Sequence, residues 1–310
     1  MSLVSVVVPV YNEEELIEWS HGRLKETMDS SGVDYELIFV NDGSRDRSPE
    51  LLRSICESDP RSKMLSFSRN FGHQCAISAG MRESKGDAVV VIDADLQDPP
   101  EVILAMIEKW REGYDVVYGK RGKRKGETAF KLLTAKIFYR VLDSLTTVDI
   151  PVDTGDFRLL SRRVCDVMNS LPEHNRYIRG LVSWVGFKQC AVEYIREERT
   201  AGETKYTLKK MIRLATDGIV SFSYKPLMFA AGFGIFTAAA SAIYLIVALI
   251  LDLCGVWAIN GLYYIGGFIL MALGFLMIAV GIVGRYLGQM LDEARGRPYY
   301  IIAEKVGFDD

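Results

Sequence analysis

The sequence predicts an α/β domain with a mostly parallel sheet, followed by two membrane-spanning helices. In roughly the first 200 residues, a domain-sized length, short apolar runs alternate with segments of helical pattern, which is typical of a parallel sheet covered by helices. From residue 226 onward, charged residues almost disappear over two long stretches. Fold class and membrane attachment are therefore predicted from separate parts of the chain.

The first part of the chain gives its elements in order. Leu3–Val10 is an apolar strand, and Asn12 is expected to be the N-cap of a helix that runs to about residue 30. A second strand covers residues 35–41, and Ser48 with Pro49 opens the next helix. Further strands are expected at residues 64–68, 88–92 and 115–118, and further helices at residues 73–83, 101–112 and 131–145. Ligands of such sheets bind beyond the carboxyl ends of the strands.

Two aspartates stand at the end of the strand that begins at residue 88. Because side chains alternate along a strand, Asp93 and Asp95 are expected to point to the same side of it. Two carboxylates this close are unfavourable unless a cation lies between them. Mg²⁺ and Mn²⁺ prefer such oxygen ligands and leave positions open for phosphate oxygens. The functional interpretation is a divalent-metal clamp for a nucleotide diphosphate, and the alternative is a pair of solvated acids.

Other polar groups of this domain leave two interpretations open. The basic run of residues 120–125 is either a solvated loop or a site for a second phosphate. Asp156 is either a catalytic acid or base, or a turn residue paired with Arg158.

The net charge of −3 does not suggest a nucleic-acid-binding surface. The five cysteines lack metal-binding spacing and indicate reduced thiols in a cytoplasm-facing protein.

The apolar stretches predict a membrane topology. Residues 226–251 contain no charged residue, and after Asp252 the next charge is Arg285. Each stretch exceeds the roughly 20 residues that cross a bilayer. Lysines and arginines flank both stretches but are absent from the connector, which places both chain ends in the cytoplasm. A buried soluble hairpin is the alternative. The expected segments are a cytoplasmic domain at 1–200, a juxtamembrane interfacial helix at 201–225, membrane helices at 226–252 and 261–286, and a cytoplasmic tail at 287–310.

Five ordered motifs span the chain: VVPVYNE at residues 7–13, NDGS at 41–44, DADLQDP at 93–99, GDFRL at 155–159 and AGETKY at 201–206. Together with the apolar stretches they resemble the polyprenyl-phosphate glycosyltransferases of glycosyltransferase family 2, above all the bacterial bactoprenol (undecaprenyl-phosphate) glucosyltransferases, which are related to dolichyl-phosphate mannose synthases. The resemblance covers essentially the whole chain and implies a GT-A fold, which is Rossmann-like. The sequence lacks the QxxRW motif of processive polysaccharide synthases, which favours one transfer per acceptor.

The resemblance implies a role for each matching residue. Nucleotide-sugar binding is implied for Pro9, Tyr11, Glu13, Asp42, Asp93 and Asp95. A site for Mg²⁺ or Mn²⁺ is implied at Asp93, Asp95 and Gln97. Asp156 matches the proposed catalytic base of the family. A looser match places four cations near the acceptor phosphate or the donor diphosphate, namely Arg158, Arg179, Arg199 and Lys205.

The implied reaction moves a sugar, with glucose from UDP-glucose as the first choice, onto undecaprenyl or another polyprenyl phosphate with inversion at the anomeric carbon. Other donors stay open, namely GDP-mannose, a UDP-N-acetylhexosamine or a UDP-modified arabinose. The alternative outside the enzymes is a nucleotide-sensing membrane scaffold without turnover. The expected setting is the bacterial inner membrane. Glycine-bearing faces of the two spans suit a homo-oligomer, and because two uncharged helices per chain offer no polar path unless several subunits combine, the product is expected to need a separate flippase and a downstream glycosyltransferase.

The chemistry of a phosphate acceptor limits the base role of Asp156. A phosphate monoester has a second pKa near ~6, so at neutral pH much of it is already dianionic and little proton removal is needed. An ionised Asp156 would repel that dianion, so we expect Asp156 mainly to orient a donor hydroxyl or a neighbouring arginine. On this hypothesis Asp156→Asn loses less rate at about pH 8.5 than at about pH 6, on either side of neutrality.

Overall fold

The computed structural model describes residues 2–122, 154–173, 176–195, 225–254 and 261–308. The helix expected at residues 131–145 lies outside these ranges, as does the juxtamembrane segment 201–225 apart from its last residue. The described residues fall into two compact units. One holds a β-sheet and its covering helices, and the other holds two long helices.

A mostly parallel sheet forms the centre of the first unit. Its described strands are β1 (Leu3–Val10), β2 (Asp34–Asn41), β3 (Ser62–Phe67), β4 (Ala88–Val91), β5 (Val116–Arg121), β6 (Thr154–Ser161), β7 (Gln189–Tyr194) and β8 (Ile302–Val306). Their order across the sheet is β7-β5-β6-β4-β1-β2-β3-β8. β1 pairs in parallel with β2 and β4, β2 with β3, and β5 with β7, whereas β6 and β8 are antiparallel to their neighbours. The predicted α/β class is confirmed.

Helices follow most of these strands. In the first unit they are α1 (Ile17–Asp29), α2 (Ser48–Ser58), α3 (His73–Glu83), α4 (Val102–Arg111), α5 (Arg162–Ser170) and α6 (Ile178–Trp184). β1 and β2 are buried along nearly their whole length, as continuous apolar strands of a doubly covered sheet are. α3 packs directly on β1 and β2. This contact places the first turn of α3 at the carboxyl edge of the sheet, where the acidic motifs lie.

Asn12 is not a helix N-cap, contrary to the expectation from the sequence. α1 begins only at Ile17, and Asn12 has a φ of 53°, in the left-handed region that Asn tolerates better than most residues. Its side-chain oxygen accepts a hydrogen bond from the backbone N–H of Arg45 (2.9 Å), and its own backbone N–H donates to Ser44 Oγ (2.9 Å). The polar side chain therefore joins the loops after β1 and β2 instead of starting a helix.

The acid pair does not lie on a strand either. β4 ends at Val91, and the chain turns so that the backbone N–H of Leu96 donates to the carbonyl of Asp93 (3.1 Å). Leu96 has a φ of 41°, which is strained for a branched side chain. The alternation argument for Asp93 and Asp95 was therefore wrong, because a tight turn and not the pleat of a strand sets the direction of both carboxylates.

The second unit contains α7 (Lys225–Leu253) and α8 (Gly261–Ala294), which cover both predicted spans. Within the described residues, one helical stretch, Met271–Ala294, is long and apolar enough to cross a membrane, with a mean hydropathy of 1.8. The first span stays a prediction. α8 also runs past the expected end at residue 286, and β8 follows it, so the segment expected as a tail contributes a strand to the sheet.

Candidate active site

Asp156 occupies the start of β6 and is held by cations from two other elements. Its side chain is 6% exposed. Arg179, on α6, donates from Nε to Oδ1 (2.8 Å) and from a terminal nitrogen to Oδ2 (3.1 Å). His73, the first residue of α3, places Nε2 at 3.2 Å from Oδ2. Burial raises the pKa of Asp156, but the charge of Arg179 and the hydrogen bonds from His73 and Arg179 outweigh it and lower the pKa well below its usual value.

His73 links this carboxylate to the turn after β4. Its Nε2 lies 3.5 Å from Asp93 Oδ1 as well as close to Asp156. Desolvation lowers the pKa of His73, but Asp156 and Asp93 outweigh that effect and raise the pKa to about 9. His73 was absent from the residues predicted from the sequence. The available signal was its position, since a helix that follows a parallel strand begins at the ligand-binding edge.

Asp93 lies near three other carboxylates, those of Asp95, Asp98 and Asp156. Burial raises the pKa of Asp93; His73 opposes this, and Asp156, Asp95 and Asp98 raise it further. Gln97 is buried in the same turn, where its backbone N–H donates to Asp95 Oδ1 (3.3 Å). Among the described residues, no three or more His, Cys, Asp or Glu side chains are grouped as a metal site. Two carboxylates and an amide oxygen nevertheless suit Mg²⁺ or Mn²⁺, which take their other ligands from water and phosphate.

Arg158 lies beneath Asp156 and is only 4% exposed. Its guanidinium donates to the backbone carbonyls of Gly155 (2.8 Å) and Asp156 (3.3 Å). Burial lowers the pKa of Arg158 to about 10. The structure thus places this predicted phosphate contact inside the domain, where it supports the backbone that carries Asp156.

Arg121 belongs to the basic run and contacts the same region. It donates to Asp98 Oδ2 (3.3 Å), and the Tyr194 hydroxyl donates to Asp98 Oδ1 (2.6 Å). A Cβ on Gly155 would lie 2.7 Å from a terminal nitrogen of Arg121, so a larger residue there would require this guanidinium to shift. Asp98, Arg121 and Tyr194 therefore connect the turn after β4 to β5, β6 and β7. The basic residues beyond 122 lie outside the described part of the chain.

Asp42 organises a loop at the carboxyl end of β2. It is 3% exposed and accepts hydrogen bonds from the backbone N–H groups of Phe71 (2.7 Å) and Gly72 (3.0 and 3.1 Å) and from Asn70 Nδ2 (2.9 Å). Burial raises its pKa more than these hydrogen bonds lower it. The neighbouring Gly43 has a φ of +65°, and a Cβ there would lie 2.3 Å from the backbone carbon of Arg69. The NDGS motif therefore fixes residues 69–72, which lead directly into α3.

The other predicted residues are placed as follows. Pro9 is buried near the end of β1, and Tyr11, just beyond it, is 39% exposed. The backbone N–H of Glu13 donates to Ser48 Oγ (3.1 Å). The structure brings Asp93, Asp156 and Arg179 together around His73, while Arg199 and Lys205 lie outside the described residues.

The chain was compared with known proteins by sequence and by structure. The model of glycosyl transferase family 2 matches residues 5–168. The chain is 55% identical to the uncharacterized glycosyltransferase YkcC of Bacillus subtilis (strain 168), over 99% of this chain and 95% of the relative. It is 40% identical to the SfII prophage-derived bactoprenol glucosyl transferase of Shigella flexneri, over 96% and 97% of the two chains. Among solved structures, mannosyl-3-phosphoglycerate synthase from Rubrobacter xylanophilus matches with a TM-score of 0.49 and 16% identity, over 70% and 71%.

Proposed function

The chain belongs to glycosyl transferase family 2, and we propose that it transfers glucose from UDP-glucose to undecaprenyl phosphate. The observation that carries the proposal is the 40% identity to a bactoprenol glucosyl transferase over 96% of the chain. That identity extends well past residue 168, where the family model ends, and so includes the apolar helices as well as the sheet. If the two proteins use the same membrane-lipid acceptor, their sequences are expected to be similar both in the sheet domain and in the apolar helices.

Asp93, Asp95 and Gln97 are the residues proposed to hold Mg²⁺ or Mn²⁺. Burial and, after it, the nearby carboxylates of Asp156, Asp95 and Asp98 raise the pKa of Asp93, and a bound cation would offset both effects. When bound, such a cation offsets the charge that develops on the departing UDP. The nucleotide is proposed to bind to four residues at the ends of the adjacent strands β1 and β2, namely Pro9, Tyr11, Glu13 and Asp42. Sheets of this kind bind ligands at that edge.

Asp156 and Arg179 are proposed to act on the reacting groups. An oxygen of the acceptor phosphate attacks the anomeric carbon, the bond from that carbon to the UDP oxygen breaks, and the configuration inverts. Asp156 stays ionised and orients Arg179 and a donor hydroxyl, while Arg179 supplies positive charge toward the acceptor phosphate. Arg158 supports Asp156 from below, and Arg199 and Lys205 are proposed as further phosphate contacts.

The proposed cellular arrangement is that of a bacterial inner-membrane enzyme. Residues 1–200 are placed in the cytoplasm, 201–225 at the bilayer surface, and 226–252 and 261–286 as two spans with both chain ends inside. Of these spans, the second is supported by the apolar helix Met271–Ala294. Two helices per chain whose charged residues lie only near their ends offer no polar path across the bilayer unless several subunits combine. A separate flippase is therefore proposed to move the sugar-lipid product before a downstream glycosyltransferase uses it. A homo-oligomer belongs to the same proposal.

The deciding experiment offers the purified full-length protein undecaprenyl phosphate, Mg²⁺ or Mn²⁺ and a panel of labelled nucleotide sugars, followed by lipid extraction. We expect label from UDP-glucose in the lipid, and a loss on the order of 100-fold for Asp93→Asn. Asp34→Asn, at the exposed start of β2, is the matched control and keeps full activity. If the lipid instead carried label from GDP-mannose, a UDP-N-acetylhexosamine or a UDP-modified arabinose, that compound would be the donor and not UDP-glucose. If the protein bound UDP but transferred no sugar, the enzyme proposal would be wrong and the scaffold alternative would be favoured.

A further inference from the structure

The residues that follow α8 return to the sheet and are fixed there by several contacts. β8 pairs antiparallel with β3 and forms the edge of the sheet, and the ring of Tyr300 stacks on Phe67 at 5.1 Å. Arg53 donates twice to Glu304 (3.0 and 2.9 Å), and Lys305 donates to Glu83, the last residue of α3 (2.6 Å). We call residues 298–306 the return segment.

Tyr299, in the return segment, touches two elements of the candidate active site. Its backbone carbonyl accepts from Cys75 Sγ (3.7 Å), in the first turn of α3. Its ring lies beneath the guanidinium of Arg176, which is 5.5 Å from the ring centroid. A cation over an aromatic face is attracted by the ring and held in position. Tyr299 therefore joins α3 to the loop that precedes α6.

These two elements are the ones that hold Asp156. Two residues before Cys75, His73 contacts the Asp156 carboxylate, and Gln74 accepts a hydrogen bond from the backbone N–H of Ile178 (3.0 Å). Three residues after Arg176, Arg179 makes its two hydrogen bonds to Asp156. A displacement of the loop that contains Arg176 would therefore also move the guanidinium of Arg179, which fixes the Asp156 carboxylate.

We propose that the return segment is a positioning element of the transfer site, in which the Tyr299 ring, through Arg176, sets the contact between Arg179 and Asp156. The expected effect on kcat rests on the proposed function, but the contact between Tyr299 and Arg176 can be tested by hydrogen exchange without any turnover. The segment follows the apolar helix α8 directly in sequence, so the chain that leaves that helix takes part in forming the site.

The test compares three variants of the full-length protein. Tyr299→Ala removes the ring, Tyr299→Phe keeps it, and Lys305→Gln removes an ion pair of the return segment that does not touch the loop. We expect Tyr299→Ala to increase hydrogen exchange at residues 176–182, and to lower kcat on the order of 10-fold while the KM for the nucleotide sugar stays unchanged. Tyr299→Phe and Lys305→Gln are expected to match the wild type in both measurements.

Arg176→Gln removes the same contact from its other side, together with the hydrogen bonds from the guanidinium to the carbonyls of Leu171 (2.5 Å) and Glu173 (3.1 Å). The variant guards against a Tyr299→Ala protein that fails to fold. It should increase exchange at residues 176–182, and the double variant should increase it no further. Wild-type exchange in Arg176→Gln, or a Tyr299→Phe protein as impaired as Tyr299→Ala, would overturn the inference. A wild-type protein that transfers no sugar would instead refute the proposed function, and the exchange measurement would still decide the role of Tyr299.

Discussion

The charge state of Asp156 determines how its removal should depend on pH. Its pKa lies well below the usual value, since Arg179 and His73 outweigh the effect of burial, so the carboxylate is ionised at about pH 6 and at about pH 8.5. In the wild type, His73, with a pKa of about 9, stays mostly protonated over the same interval, and arginine side chains keep their charge there. We therefore expect Asp156→Asn to lower kcat on the order of 100-fold at about pH 6 and by at least as much at about pH 8.5, because the variant also loses the carboxylate that raises the pKa of His73.

This expectation differs from the one drawn from the sequence, which was a smaller loss at higher pH. Transfer kinetics at the two pH values, with both substrates saturating, distinguish them. A loss that shrinks at about pH 8.5, where the acceptor is fully dianionic, would show that Asp156 takes a proton from the monoanionic acceptor. Asp34→Asn, on the exposed end of β2, corrects for the pH response of the assay.

Sequence motifs identified the acidic residues of the site but not His73, the positively charged side chain that lies between Asp93 and Asp156. Asp93, Asp95 and Asp156 stand in motifs whose spacing carries chemical meaning by itself. His73 has no such neighbours in sequence, and it reaches Asp93 and Asp156 because α3 packs on β1 and β2 and begins at the carboxyl edge of the sheet. Contacts between residues 20 to 83 positions apart depend on the sheet order, which the local pattern does not contain.

Among the elements, α3 approaches the sheet closely at Gly80. A Cβ at this position would lie 2.2 Å from Val7 Cγ1 on β1 and 3.2 Å from Val40 Cγ2 on β2. We expect Gly80→Ala to reduce the free energy of unfolding by about 1–3 kcal/mol, because the added methyl group overpacks a buried contact. Thermal denaturation of the purified protein measures the effect.

Gly22 provides the matched control on α1. It is exposed, and a Cβ there would have no neighbouring atom within 4 Å. Gly22→Ala should stabilise the protein by up to about 1 kcal/mol through helix propensity. If Gly80→Ala were equally stabilising, α3 would not be held against β1 as closely as the structure describes.

The elements show which parts of the fold a local pattern can predict. The continuous apolar runs of β1 and β2 predicted buried parallel strands, and both are present with nearly the expected bounds. β8 was missed because it has five residues, follows an apolar helix, and pairs with a strand more than 230 positions earlier. A short edge strand is specified by its partner, in this case through Arg53 and Glu304, more than by its own sequence.

At the scale of the whole molecule, the chain leaves the first unit before α7 and rejoins it at β8. Removing everything after residue 225 would therefore delete β8 together with the apolar helices. The sharper experiment replaces residues 225–296 by a Gly/Ser linker of about 30 residues, which spans about 30 Å on average. We expect UDP binding and transfer to a short, soluble prenyl phosphate to persist, whereas transfer to long-chain undecaprenyl phosphate falls at least about 100-fold, because the helices bring site and lipid together.

A protein that ends at residue 225 is the comparison that isolates β8. It lacks the antiparallel partner of β3 and the carboxylate that pairs with Arg53, so its exposed strand edge should cause aggregation and a lower melting temperature than the linker protein has. Full transfer to long-chain lipid by the linker protein would refute the role given to the helices. Equal melting temperatures for the two shortened proteins would refute the role given to β8, because a strand that contributes no stability cannot hold Tyr299 against Arg176.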